Sequence, residues 1–295
     1  MANTNSIKTK IKSISNIQKI TSALEIVSTV KLQKVKTQAT NFKEYMTEFL
    51  YILDMVDFSR IFQKLDTLNS NKELLVVVSS EKWLCWSLNS KLFKNIYDIT
   101  KDEKDKYEVF VVWKKALEFF TRTKYNIVWV LNLKDTFSEK DLTELKGFLI
   151  KSVDEEKYSK IKIFFNYFKN TMNQIPTELQ LYPLLKENFD QFAKTIELDF
   201  KLYSDDSYSK DIIIEPSDEE FYNFILRKFI ADITYWTILQ NKSWEHASRM
   251  VAMKNAKDNS IDLKKILTIS YNKQRQSAVT QEISEIVSAK VAMEE

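Results

Sequence analysis

The chain has 295 residues, 44% of them hydrophobic and 13% aromatic, which is enough for a buried core in one or two domains. Its formal net charge of +3 is too near neutral to imply nucleic acid or an anionic membrane by itself. One glycine (Gly147), one histidine (His246) and one cysteine (Cys85) exclude phosphate-cradling glycine loops, the usual zinc ligand sets and an internal disulfide.

The chain is therefore read as neither hydrolysing nucleotides nor binding a dinucleotide unaided, with no cofactor or metal. Counting alone leaves a carboxylate-only active site open. No run of eighteen apolar residues predicts a membrane span, and the polar, basic N-terminus lacks the apolar stretch of a signal peptide. The Leu-Cys-Trp setting of Cys85 suits a buried, inert thiol in a reducing compartment.

In chain order, residues 1–60 predict a helix. Ile7, Ile11, Ile14, Ile17, Ile20, Leu24, Val27, Val30 and Val35 recur at a mean spacing of 3.5, the period of a left-handed coiled coil. No glycine or proline interrupts them. Residues 1–43 carry eight lysines against one acid, Glu25. Two readings stay open: a solvated helix face, or a basic sleeve facing acidic loops of a surrounding partner.

Residues 70–215 change texture. The runs at 73–79, 107–113, 125–131 and 161–168 are β-branched and aromatic, as in strands covered on both faces. Helical stretches fall between them near 83–99, 114–121 and 138–152. Such alternation predicts a mostly parallel α/β sheet. Beyond it the prediction is a helix or loop over 171–193, then strands near 195–203 and 210–215 joined by a turn at Asp205-Asp206-Ser207.

Residues 218–295 predict a second, longer helix. About 70 residues from Glu219 to Lys290 pass without glycine or proline, a length of about 100 Å if unbroken. Leu263, Ile266, Leu267, Tyr271, Ala278, Val279, Ile283, Ile286 and Val287 mark its apolar side. Neither terminal helix can bury its stripe alone. The predicted architecture is a long antiparallel coiled coil of the two ends, flanked by the α/β domain.

Both ends carry a resemblance. Arg249-Met-Val-Ala-Met-Lys-Asn-Ala256, Asp258-Asn259 and the run from Tyr271 to Val287 are similar to the gamma subunit of rotary F-type ATP synthases. So are Ile11-Lys-Ser-Ile14, Asn16-Ile-Gln-Lys-Ile-Thr21, Val27-Ser28, Lys31-Leu32 and Glu215-Pro-Ser217.

The resemblance implies a Rossmann-like central domain and a rotor role. The coiled coil would turn inside a ring of three alpha and three beta subunits, coupling ATP synthesis or hydrolysis to rotation, and the chain itself would not be catalytic. It also implies a bacterial complex, cytoplasmic and peripheral at the inner face of the cell membrane. Partners at the α/β end would be an epsilon subunit and the proton-conducting membrane ring. Arg249, Gln276, Thr280 and Glu282 match the family's polar cluster, which resembles a catch on a beta-subunit loop. Leu24, where the family usually has Met, is expected opposite that cluster.

The middle departs from the family. Ser80-Glu-Lys-Trp-Leu-Cys-Trp-Ser-Leu-Asn89 resembles a segment that is normally glycine-rich, with Trp83, Trp86 and Ser87 standing where glycines would be. Trp113 likewise stands where the family often has Gly. Two readings follow: a repacked core, or a new docking face for an unknown replacement load in a specialised, mycoplasma-like motor. Abundant Lys, Asn and Ile point the same way, to an AT-rich bacterial genome. A stand-alone α/β enzyme and a coiled-coil nucleic-acid binder are the remote alternatives.

Overall fold

The computed structural model describes residues 2–54, 70–81, 86–135, 137–168, 170, 174–185, 187–188, 194–195 and 215–294. Helix α1 spans Ala2–Asp54. Then follow β1 (Glu73–Val78), α2 (Trp86–Thr100), β2 (Tyr107–Val112), α3 (Lys114–Arg122), β3 (Asn126–Leu131), α4 (Thr143–Asp154), β4 (Lys160–Phe168) and β5 (Gln174–Tyr182). Helix α5, Asp218–Glu294, closes the chain; its 77 residues reach about 115 Å. The Ser217 hydroxyl accepts from the Glu220 N–H at 3.2 Å, satisfying one free donor at the start of α5.

By internal contacts the chain forms two compact units, one of Met1–Val30 with Arg249–Glu295 and one of Lys31–Ser248. The second is built on a five-stranded sheet of order β3-β2-β1-β4-β5. Strands β1 to β4 pair in parallel and β5 runs antiparallel to β4.

Beyond Glu73 and Glu108 near their starts, the central strands β1 and β2 are apolar throughout, and their period of two sends alternate residues to opposite faces. Leu75 and Val77 of β1, with Val109 and Val111 of β2, meet Leu92, Phe93 and Ile96 of α2 and Ala116 and Phe120 of α3. Leu74, Val76 and Val78, with Phe110, Ile163 and Phe165, meet Met46 of α1, Leu145 and Leu149 of α4 and a row on α5 that includes Phe229, Ile233 and Trp236. Each buried Leu, Ile or Phe contributes about 2–3 kcal/mol in area removed from water.

A buried carboxylate sits at the lower end of β2. Glu108 accepts from Lys72 and from the Tyr158 hydroxyl, both at 2.7 Å, with Lys157 at 3.5 Å. Burial alone would raise its pKa, but the bonds from Lys72 and Tyr158 and the charge of Lys157 outweigh that and hold it below the ordinary 4.5. Burial, then the Glu108 carboxylate, pushes the Tyr158 phenol far up.

The four strands predicted over 73–168 form within a residue or two of their expected limits, and so does the helix expected at 114–121. The helix expected at 83–99 is described from Trp86, and that expected at 138–152 starts at Thr143, after a 3-10 turn over Glu139–Leu142. The segment 171–193, predicted as helix or loop, instead contains β5. Its sequence alternates Ile175, Thr177, Leu179 and Leu181 with Pro176, Glu178 and Gln180. Pro176 argues against a central strand, but β5 lies at the sheet edge, where a missing N–H is tolerated. The strands expected at 195–203 and 210–215 and the turn at 205–207 fall outside the described residues, apart from Thr195 and Glu215, neither of which is in a strand.

Candidate partner-binding surface

In the first unit α1 and α5 lie side by side. Lys257 donates to Glu25 at 2.7 Å and Lys264 to the Ser15 hydroxyl at 3.5 Å. Moving down α1 from 25 to 15 moves up α5 from 257 to 264, so the helices are antiparallel. The bond to Glu25 raises the Lys257 pKa above 10.5.

The face where they meet is not the most apolar one. Ile7, Thr21 and Ser28 are buried on α1, and Met253 and Ser260 on α5. Small side chains let the backbones approach, and the Thr21 hydroxyl satisfies itself on the Ile17 carbonyl at 3.0 Å. The predicted α1 stripe is inward only at its ends. Its middle points to solvent, with Ile20 60% and Val30 64% exposed and Ile17, Leu24 and Val27 alongside them. On α5, Leu263, Ile266, Val279, Ile283, Ile286 and Val287 are exposed as well. The expectation that both stripes are spent on each other is corrected: a chain of alternating apolar and small polar turns buries the small face and leaves a large apolar surface uncovered. Surfaces of that kind mark association sites.

Past Thr280, residues 281–291 of α5 are all exposed. Beside the apolar stripes, an open groove between the helices is lined by Lys8, Lys12, Lys19 and Lys264, with Ser15 and Asn16 between them. It presents four cations toward one side, a match for acidic residues.

The residues implied as a catch do not form one cluster. Gln276, Thr280 and Glu282 are exposed, and the Thr280 hydroxyl donates to the Gln276 carbonyl at 2.9 Å. Arg249 is buried, and it lies about 40 Å from Gln276 along the helix axis. Leu24 neighbours Glu25, whose partner is Lys257, so it lies beside the Arg249 end of α5 and not opposite Gln276. Of the three tryptophans, Trp83 lies outside the described residues, as does the side chain of Trp86, whose backbone opens α2.

Trp113 is fully buried in the second unit and offers no docking face. It sits at φ 69 and ψ 163, a region essentially reserved for glycine, at a cost of about 1–3 kcal/mol. Its backbone N–H donates to Leu131 at 2.8 Å and its indole N–H to Leu133 at 2.9 Å. The Lys242 ammonium of α5 lies 4.4 Å from the ring centre, a cation–π contact worth about 2 kcal/mol when desolvated.

Open α/β sheets usually bind ligands outside the carboxyl ends of their strands. Here that crevice is filled by the chain itself. Asn241 of α5 donates to the Ser79 carbonyl at 2.6 Å, and the Ser79 hydroxyl accepts from the Ala116 N–H at the start of α3 at 3.1 Å. Lys242 is fully buried, 3.2 Å from Glu245, 3.3 Å from Asp135 and 3.7 Å from Glu81. The sequence reading missed this knot. Gln240-Asn-Lys-Ser-Trp-Glu-His246, seven polar or aromatic residues inside a helix that is otherwise apolar on this side, is the signal that could have found it.

The chain is thus an α/β protein of two units: paired terminal helices with uncovered apolar stripes, and a sheet whose ligand crevice is plugged by the chain itself. The chain belongs to the ATP synthase gamma-chain family. A family model described as ATP synthase matches residues 3–293. The ATP synthase gamma chain of Buchnera aphidicola subsp. Baizongia pistaciae is 34% identical over 294 residues, covering 97% of each chain. That of Mycoplasma capricolum subsp. capricolum is 32% identical over 293 residues, covering 98% of each. In fold, the chain is similar to one in the Euglena gracilis mitochondrial ATP synthase, described as OSCP/F1/c-ring, at 18% identity with a TM-score of 0.62 over 99% of this chain and 95% of that one. It is also similar to one in the central stalk and c-ring of the Tetrahymena thermophila enzyme, with a TM-score of 0.59 over 80% of this chain and 99% of that one.

Proposed function

We propose that this chain is the central rotor of a bacterial F-type rotary ATPase, a subunit that carries torque and breaks no bond itself. The observation that carries the reading is the uncovered apolar stripe on both paired helices, from Ile17 to Val30 and from Leu263 to Val287. The shaft turns inside a ring of three alpha and three beta subunits. Its non-equivalent sides favour a different conformation in each catalytic site, so rotation and ATP chemistry are linked by differential contacts. Leu24 meets the ring at one level and Gln276, Thr280 and Glu282 at another, while Arg249 is buried within the chain.

No helix among the described residues is long and apolar enough to cross a membrane. The reading therefore places the chain peripherally, at the cytoplasmic face of the cell membrane, with an epsilon subunit and the proton ring at its α/β end. A replacement load rested on the three tryptophans, and burial of Trp113 removes one of its supports.

The test is reconstitution with the alpha and beta subunits of the same organism. A stable complex of three alpha, three beta and one copy of this chain, in which a bead fixed to the chain rotates during ATP hydrolysis, is the expected result. A chain that never joins the ring, or joins and stays still, overturns the reading.

A further inference from the structure

We propose that the face of α5 formed by Asn241, Lys242 and Glu245 is the torsional joint that locks this helix to the sheet; the proposal rests on the rotor reading above. Up to Ile238, α5 is held to the sheet by apolar side chains, whose attraction is non-directional. The next two turns are different in kind. Asn241, Lys242 and Glu245 are completely buried, and each is tied by a directional bond.

The ties reach beyond the carboxyl ends of three strands. Asn241 bonds Ser79 at the end of β1, Lys242 stacks on Trp113 at the end of β2, and Lys242 pairs with Asp135 beyond β3. Glu245 in turn accepts from the Glu81 N–H at 3.5 Å. Side-chain tips lie about 5 Å from a helix axis, so a twist of about 20° moves them by about 2 Å. The 3.3 Å pair of Lys242 with Asp135, which joins the helix to the chain beyond β3, does not survive that displacement as a hydrogen bond. The knot therefore resists rotation of α5 about its own axis.

A second observation points the same way. Trp113 keeps a backbone conformation that suits glycine, and it thereby lays its indole under the Lys242 ammonium. Local strain of this kind is kept where the surroundings over-determine it, commonly at functional positions. Four residues beyond Glu245 the helix reaches Arg249, where the paired-helix unit begins. The joint thus occupies the last turns of α5 before that unit.

The experiment uses the full chain in the reconstituted ring, with a bead fixed to the α/β unit and the angular fluctuations of the stalled rotor recorded. The paired variant Lys242→Met with Glu245→Gln removes one charge of each sign and keeps the volume. It is expected to assemble, to hydrolyse ATP without load within twofold of the parent, and to widen the angular variance at least twofold. Torsional stiffness is a readout that a mere loss of stability in a folded chain leaves alone.

Should that variant fail to fold, Glu81→Gln with Asp135→Asn, which alters only partly exposed side chains and preserves their shape, is expected to widen the variance in the same sense by a smaller factor. Unchanged variance in a folded variant overturns the joint and leaves the rotor intact. A parent chain that does not turn overturns both.

Discussion

Glu25 and Lys257, 232 residues apart in sequence, meet at 2.7 Å and fix the antiparallel register of the two terminal helices. The pair is set among small residues, so it decides which turn of α1 lies beside which turn of α5. The Lys257 pKa is raised above 10.5 by this bond, so the attraction is fully present below that value and is lost as pH rises through the higher folded value. Helix pairing, followed by a cysteine cross-link placed across the two helices, is expected to loosen as pH rises above 10.5. Glu25→Gln should remove that alkaline transition while leaving the neutral-pH fold intact.

Glu108 gives the opposite sign. Its folded pKa lies below 4.5, so its contribution is present above the unfolded value and disappears as pH falls through the lower folded one. Acid unfolding followed by circular dichroism should therefore shift to higher pH in Glu108→Gln. Glu108→Ala also strands the buried Tyr158 hydroxyl, and should cost about 2–3 kcal/mol in urea unfolding at neutral pH.

Removal of residues 281–295 should leave the thermal midpoint of the isolated chain unchanged, because the described side chains in that stretch are exposed. The same truncation should lower the yield of ring complex and weaken coupling between rotation and ATP turnover. Normal coupling would show that Ile283, Ile286 and Val287 are not gripped.

Gln276→Ala with Thr280→Ala is expected to slow ATP turnover of the reconstituted complex by about threefold or more, the loss of roughly one charge-neutral hydrogen bond or two. Both side chains are exposed, so the melting curve of the free chain should not move. Turnover at the parent rate would remove these residues from the catch.

Much of this was legible in the sequence, and the misses have physical causes. The four parallel strands announce themselves because burial on both faces demands near-continuous apolar runs such as Leu74 to Val78. β5 hid behind Pro176, which is disfavoured in a central strand and harmless at an edge. The paired helices were legible from their period, but the side they share was not. Periodicity ranks faces by hydrophobicity, whereas a close antiparallel pair is set by which face is narrow, here Thr21, Ser28 and Ser260. Matched residues likewise gave a list without distances. Arg249 and Gln276 belong to one motif and lie about 40 Å apart along the axis. The Lys242 knot was hidden because a lysine in a helix is ordinarily read as surface, and only the strand ends around it reverse that.

The exposed end of α5 has a practical corollary. Beyond Thr280 the helix shows Ile283, Ile286, Val287 and Val291 to water. Purified away from its sleeve, the polypeptide carries an adhesive tip that at high concentration finds other tips. Co-expression with whatever encloses that tip should raise the soluble yield, and dilution or mild detergent should disperse the clumps that form without it.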